Sequence, residues 1–319
     1  VIITLTPNPS VDRTMRIDAL PRGAVFRSDR SRSEPSGKGV NVALALCANG
    51  YEALAVLPVG GPTGRHLVRM LRAAELPHVA VPIAGDVRSN ISLVEPDGTV
   101  TKINEPGPAL SVDEAERLTD AVMHRSERVR WLAGCGSLPA GAGKTVYAQL
   151  LAAGRQAGVR TVIDATGTTL REVLPHQPDL VKPNAEELAS AVNRPLRTLG
   201  DVVDAAQVLR ARGAAAVLAS LGCDGAVLAD QHGVLHGEAP VSTVVSAVGA
   251  GDALLAGFLA VADDRREALR TALTWAGAVV QHEGTLYLGA GAPTVAVKIH
   301  DDIDRARRLV EPQLDGHHD

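Results

Sequence analysis

Short apolar, β-branched runs alternate with longer Ala/Leu-rich stretches of helical period through most of the chain, and that alternation decides the fold class. Ile2–Thr6 reads as strand and Val40–Asn49 as helix, then Ala53–Pro58 as strand and Gly64–Ala74 as helix. Further along come Val129–Cys135 (strand), Lys144–Ala157 (helix), Val159–Asp164 and Leu180–Lys182 (strands), Asp201–Arg212 (helix) and Ala214–Ala219 (strand). A late β-branched run, Val241 to Val245, reads as one more strand, followed by an Ala/Leu helix, Ala253 to Ala262. Strand–helix alternation implies an α/β fold: a mostly parallel, doubly wound sheet flanked by helices.

Two segments break the alternation. Val11–Glu34 alternates without helical period, and Ser89–Asn104 reads strand, turn (Pro96-Asp97-Gly98), strand. Together they predict a small β-sheet lid outside the main sheet. The expected division is a core of residues 1–10, 35–87 and 105–319, and a discontinuous lid of 11–34 and 88–104, with Pro106-Gly107-Pro108 as the return point.

Composition narrows the chemistry. The 319 residues suit one large α/β domain with an insertion, or two domains. Aromatics are only 2% against 45% hydrophobic residues, so Ala, Val and Leu must build the core. A net charge of −4 gives no electrostatic case for nucleic acid or an anionic membrane as partner. Cys47, Cys135 and Cys223 are far apart and form no CxxC, which points to a reducing, cytoplasmic setting. No apolar run approaches the ~20 residues that span a bilayer, and VIITLTP is a strand-like start rather than a signal segment. The ten histidines, His232, His236, His317 and His318 among them, give no metal-ligand spacing.

The chemistry sits where strands end. Val248-Gly249-Ala250-Gly251-Asp252 turns into a helix, so amide N–H groups converge at a positive helix start that suits a transferring phosphoryl group. Asp252 in the first turn could take a proton from a substrate hydroxyl, or simply cap the helix. Ser36-Gly37-Lys38-Gly39 opens another helix and adds a lysine and, at Asn41, an amide, suited to a polyhydroxy or phosphorylated ligand. Arg88-Ser89-Asn90 brings a guanidinium, the better phosphate fork. Asp12 follows the first strand, where an acid could accept bonds from two sugar hydroxyls or stabilise a turn.

Lys182-Pro183-Asn184-Ala185-Glu186-Glu187 ends a strand and starts a helix. Asn184 and Glu187 share a face there, either for a hydrated Mg2+ or as a capping box. Ser220-Leu221-Gly222-Cys223-Asp224-Gly225 reads as a turn into a hairpin whose hydroxyl and amides could meet a nucleotide. Two motifs fail. Gly143-Lys144-Thr145 lacks the earlier glycine of a P-loop, because Leu138 holds that position. No GxGxxG follows the first strand, which disfavours a nicotinamide oxidoreductase.

These pieces agree in order and spacing with one family. TPNPSVD, SGKGVNVA, RSN, GSLPAG, KPNAEE, SLGCDG and VGAGD make the sequence resemble the ribokinase-like (PfkB) sugar kinases over Thr4 to about Asp304, closest to the phosphosugar branch. The resemblance implies ATP-dependent phosphorylation of a sugar hydroxyl, an α/β core and a β-sheet lid. It implies Asp252 as catalytic base and the Gly249, Ala250 and Gly251 amides as anion hole. Asn184 and Glu187 would organise Mg2+, and Lys182, Asn184, Ser220, Gly222 and Gly225 would serve the ATP site. Asp12, Gly37, Lys38, Asn41, Arg88 and Asn90 would hold the sugar phosphate.

Within the branch, Lys38 and the lid text EPDGTVTKINEPGP favour conversion of fructose 1-phosphate to fructose 1,6-bisphosphate over fructose 6-phosphate or tagatose 6-phosphate as substrate. A non-catalytic nucleotide or sugar-phosphate sensor on the same fold is the reading from another class. A homodimer through the lid is the expected assembly. Departures from the pattern are Ser36 in place of the usual glycine, Gly60-Gly61 where Gly-x-Asp is common, and His282-Glu283-Gly284 with Leu286. The last region puts in doubt a potassium ion (K+), which in relatives would lie near Ser246 and Val248.

Overall fold

The computed structural model describes residues 1–23, 25–26, 28, 30–97, 99–123, 129–282 and 295–313. Gly98, Glu283, Gly284, Leu286, His317 and His318, singled out above, lie outside these described residues. In chain order the strands begin with β1 (Ile2–Leu5), β2 (Ser10–Arg16), β3 (Ser31–Ser36), β4 (Ala53–Val59) and β5 (His78–Pro82). Next come β6 (Arg88–Val94), β7 (Val100–Asn104), β8 (Trp131–Cys135), β9 (Arg160–Asp164), β10 (Leu180–Val181) and β11 (Leu196–Thr198). The last are β12 (Ala216–Ser220), β13 (Ala226–Asp230), β14 (Gly233–Glu238), β15 (Lys298–His300) and β16 (Arg308–Gln313).

The helices are α1 (Lys38–Ala48), α2 (Gly61–Ala73), α3 (Val112–Met123), α4 (Val146–Ala157) and α5 (Gly167–Val173). After them come α6 (Ala185–Val192), α7 (Leu199–Ala211), α8 (Ala250–Ala260) and α9 (Arg265–Val279). None is long and apolar enough to cross a membrane, among the described residues.

A ten-stranded sheet, ordered β15-β14-β13-β12-β10-β9-β8-β1-β4-β5, forms the centre. From β12 to β5 every neighbouring pair is parallel, and β13 to β15 add an antiparallel edge. Strand side chains alternate between faces, so each strand feeds two cores. Ile3, Leu5, Leu132 and Val217 face α3–α7, whereas Ile2, Ala133, Leu57 and Leu218 face α1, α2, α8 and α9. Both layers consist chiefly of Leu, Val and Ala, as the scarcity of aromatics requires; Tyr147 is a fully buried exception.

After β1 the chain builds β4 and β5 on one side, then crosses back to lay β8 on the other. That reversal opens a crevice beyond the carboxyl ends of β1 and β8, the usual ligand position in open α/β sheets. A four-stranded sheet, ordered β3-β2-β6-β7, forms the lid. It is mixed: β2 and β6 run parallel and the outer pairs antiparallel. Its register aligns Ser10 with Ser36 and Arg88, Asp12 with Asn90, and Asn90 with Asn104. All four strands therefore turn their polar ends toward the core.

One sequence expectation is corrected. Val241–Val245 is not a strand; it is irregular chain leading into α8. The slot beside β14 is filled by β15, which leaves Val244 and Val245 exposed. Without a pairing partner, β-branched residues alone do not make a strand.

Candidate active site

Helix α8 begins where the glycine motif turns the chain. Gly249 is its N-cap, at φ 80°, a left-handed conformation that glycine adopts without Cβ strain. The first helical amides thus face outward from a positive helix end. The Ala250 amide is partly engaged, donating to the Ala247 carbonyl at 3.3 Å. A side chain added at Gly251 would approach within 3.4 Å of the Lys182 ammonium, so cation and helix start face the same point.

Asp252, in the first turn of α8, is 7% exposed. Its Oδ2 accepts a 2.7 Å hydrogen bond from Asn41 Nδ2. Burial and then the nearby Asp164 charge push the Asp252 carboxyl up to about 6, against the opposing pull of Lys38, Asn41 and Lys182. It is a carboxylate at neutral pH, yet close enough to titration to accept a proton.

Helix α1 supplies the opposite wall. A Cβ at its N-cap, Gly37, would come within 2.7 Å of Thr6 Cγ2, so the helix start packs tightly on the end of β1. Lys38 and Asn41, three residues apart, share one face. Asn41 reaches Asp252, while Lys38 Nζ contacts Asp164 Oδ1 at 2.8 Å and Glu187 Oε1 at 3.4 Å.

Asp164 is the group the sequence reading missed. It closes β9, is fully buried, and faces Lys182 Nζ at 3.2 Å as well as Lys38. Burial pushes its carboxyl up, but the Lys182 and Lys38 ammonium groups outweigh that and hold it below the usual range. Its signal was an acid at the carboxyl end of an otherwise apolar parallel strand. Cys135, at the end of β8, adjoins the same charges; burial and then Asp164 and Asp252 keep its thiol protonated.

The capping box read from the sequence is present at α6: Asn184 Oδ1 accepts from the Glu187 amide at 2.7 Å, and Glu187 Oε2 from the Asn184 amide at 2.9 Å. The box consumes Asn184 Oδ1 and Glu187 Oε2, leaving Glu187 Oε1 to face Lys38. Asp164 Oδ2 is ion-paired with Lys182 Nζ at 3.2 Å but accepts no well-aligned hydrogen bond. Anionic oxygens from Asp164 and Glu187, gathered around one cation position, fit a hard ion such as Mg2+. No group of three or more His, Cys, Asp or Glu residues forms a denser metal cluster among the described residues.

Above this, the base of the lid is a polar row. Asp12 Oδ1 accepts from Ser10 Oγ at 2.7 Å and Asn90 Nδ2 at 2.9 Å, and Oδ2 accepts from Ser36 Oγ at 2.9 Å. Ser36, the departure noted above, thus adds a donor that glycine lacks. The Arg88 guanidinium donates to the Glu105 and Asn8 carbonyls. The Asn8 side chain in turn donates to the Pro106 carbonyl and Ser137 Oγ, tying the lid root to the loop after β8.

The remaining candidates lie beyond β10 and β12. The Ser220 amide donates to the Pro183 carbonyl, and Asn184 bridges Ser220, so these two segments run side by side. Gly222 is open, but a Cβ on Gly225 would collide with the Gly237 carbonyl, which gives Gly225 a packing role. Asp224 between them is pinned by Arg307 Nη2 at 3.1 Å and the Val310 amide at 2.8 Å. Beside the other departure, Gly60-Gly61, Asp86 accepts from the Thr63 amide at the start of α2.

Comparisons with known proteins identify the family. Residues 6–289 match the pfkB family carbohydrate kinases. The chain is 35% identical over 260 residues to a 1-phosphofructokinase of Rhodobacter capsulatus, covering 81% of this chain and 82% of that one. It resembles the solved structure of Escherichia coli phosphofructokinase-2 with substrates and products (TM-score 0.82, 32% identity, 88% of this chain and 92% of that chain). The potassium complex of the same enzyme gives a TM-score of 0.84 at 32% identity, covering 90% and 95% of the two chains. The chain belongs to the pfkB family of carbohydrate kinases and is, as the resemblance implied, an ATP-dependent sugar-phosphate kinase.

Proposed function

We propose that the chain transfers the γ-phosphoryl group of ATP to the free primary hydroxyl of fructose 1-phosphate, yielding fructose 1,6-bisphosphate. The observation that carries the reading is the 2.7 Å bond from Asn41 to Asp252, which joins the sugar-side helix α1 to the phosphoryl-side helix α8. The 1-phosphofructokinase relative supports the choice of sugar.

In this mechanism Asp252 accepts the hydroxyl proton as the oxygen attacks, while Asn41 fixes the carboxylate's orientation. The Gly249 and Gly251 amides, with Lys182 beneath them, meet the charge of the phosphoryl group in flight. Asp12, oriented by Ser10, Ser36 and Asn90, accepts from sugar hydroxyls, and Arg88 and Lys38 supply cations for the sugar's phosphate. Asp164 and Glu187 would hold Mg2+, with Asn184 fixing Glu187, and there it would supply charge neutralisation of phosphate oxygens. Ser220, Gly222 and Gly225 border the nucleotide. Residues 11–34 and 88–104 act as a lid that excludes water on closing.

Exposed Val100 and Ile103 on the lid, with exposed Val25 and Phe26, support pairing of two lids in a homodimer. Three free cysteines support a cytoplasmic setting. The potassium complex of a relative supports K+ binding, which the family resemblance puts near Ser246 and Val248.

A second reading, fructose 6-phosphate as substrate, draws on the likeness to phosphofructokinase-2. The test is the kcat/KM ratio among fructose 1-phosphate, fructose 6-phosphate and tagatose 6-phosphate. Preference for the first supports the proposal, and a strong preference for fructose 6-phosphate overturns it.

A further inference from the structure

The Lys38 ammonium stands between Asp164 Oδ1, at 2.8 Å, and Glu187 Oε1, at 3.4 Å. These are the two groups proposed above to hold the divalent cation. Mg2+ or a tightly bound water of its shell needs the same volume, since its ligand oxygens stand only about 2.0–2.1 Å from the ion. Ammonium and metal cannot both lie between these carboxylates. Two lysines reach Asp164, and they differ. Lys182 is 3% exposed and enclosed, whereas Lys38 keeps 35% of its side chain in solvent, at the open side of the crevice.

Helix α1 offers Lys38 no reason to stay. A cation in the first turn opposes the helix dipole, and that turn contains no acid. Its position rests on the Asp164 and Glu187 carboxylates, and its flexible four-carbon stem can carry the charge elsewhere.

We infer that Lys38 is a resident counter-ion that competes with the divalent cation for Asp164 and Glu187, leaving as the metal enters and thereby becoming available to the anionic co-substrate. The inference rests on the kinase reading of the site for its second half only. It makes metal–nucleotide and sugar phosphate bind with positive coupling, because the first to arrive removes a contact the second must otherwise break. With Lys38 absent, the two carboxylates hold the metal more tightly and the coupling vanishes.

The test titrates Mn2+, without nucleotide, into native protein and into Lys38→Met and Lys38→Gln variants, reading free Mn2+ by electron paramagnetic resonance. Both variants are expected to bind Mn2+ at least about tenfold more tightly, since a unit charge a few ångströms away is removed. Asp164→Asn, verified as folded by circular dichroism, is expected to lose that binding. Unchanged or weaker Mn2+ affinity in both lysine variants overturns the inference, as does tight Mn2+ binding that survives Asp164→Asn. The second arm measures fructose 1-phosphate affinity with and without Mg·ADP by calorimetry. Tightening in the native protein but not in Lys38→Met is expected, and equal coupling in both overturns the release of Lys38 to the co-substrate. Metal titration needs no turnover, so a chain that phosphorylates no sugar but shows the tightening would refute the kinase reading and leave the counter-ion intact.

Discussion

Asn41 and Asp252, separated by 211 residues, meet in a 2.7 Å hydrogen bond at the floor of the crevice. It joins the first turns of two glycine-started helices, α1 and α8. The proposed catalytic roles rest on it, and they have measurable consequences.

Replacing Asp252 with Asn removes the proposed proton acceptor while keeping its shape. Turnover should fall by roughly 10²–10⁴-fold, the usual share of general-base catalysis. Calorimetry should find Mg·ADP binding within a few-fold of native. Retained turnover would remove Asp252 from the reaction.

The raised Asp252 carboxyl sets a pH dependence. Activity needs the ionised form, so kcat/KM should fall with slope one as pH drops through about 6. Asp164 contributes to the upward shift, so Asp164→Asn should move that acid limb to lower pH in whatever activity remains. Stability carries the same signature. The native state keeps its proton up to about 6 while an unfolded Asp ionises near 3.9, so folding loses stability as pH rises across that window. Asp252→Asn should therefore melt higher than native protein at pH 8, with the gap closing toward pH 4.

Ser36→Gly deletes one of three donors to Asp12. The carboxylate loses its fixed orientation, and one charge-assisted bond is lost. The sugar KM should rise about three- to tenfold with kcat nearly unchanged. A kcat loss with constant KM would detach Asp12 from sugar binding.

Arg307→Met leaves Asp224 buried without its ion pair. Breaking a buried pair costs about 3–5 kcal/mol, less here because Arg307 is 32% exposed. A loss of about 2 kcal/mol in chemical denaturation is expected, together with weaker nucleotide binding, since Asp224 anchors the turn containing Gly222 and Gly225.

The parallel sheet, the lid strands and the capping box were legible because each is written locally: period-two runs, a Pro-Asp-Gly turn, Asn followed three residues later by Glu. What sequence could not supply was pairing at a distance. Asp164 read as the end of an apolar strand, and only the fold brings Lys38 and Lys182, from positions 126 residues before and 18 after, onto its two oxygens. Val241–Val245 misled for the converse reason, since a good strand sequence found its neighbour's edge already taken by three residues, Lys298–His300. Lys38 was read toward the sugar's phosphate from its place in a motif; in the structure its ammonium lies with the carboxylates.

The lid's alignment carries a last implication. Because Ser10, Ser36, Arg88 and Asn104 all sit at one end of that small sheet, every passage of the chain between sheet and body is confined to a single margin. Asn8 clasps that margin from below. The far ends of those strands are therefore free to lengthen, shorten or change their decoration without disturbing the ten-stranded frame. Contacts with a second lid can change there, as at exposed Val100, while the polar row around Asp12 at the margin keeps its geometry.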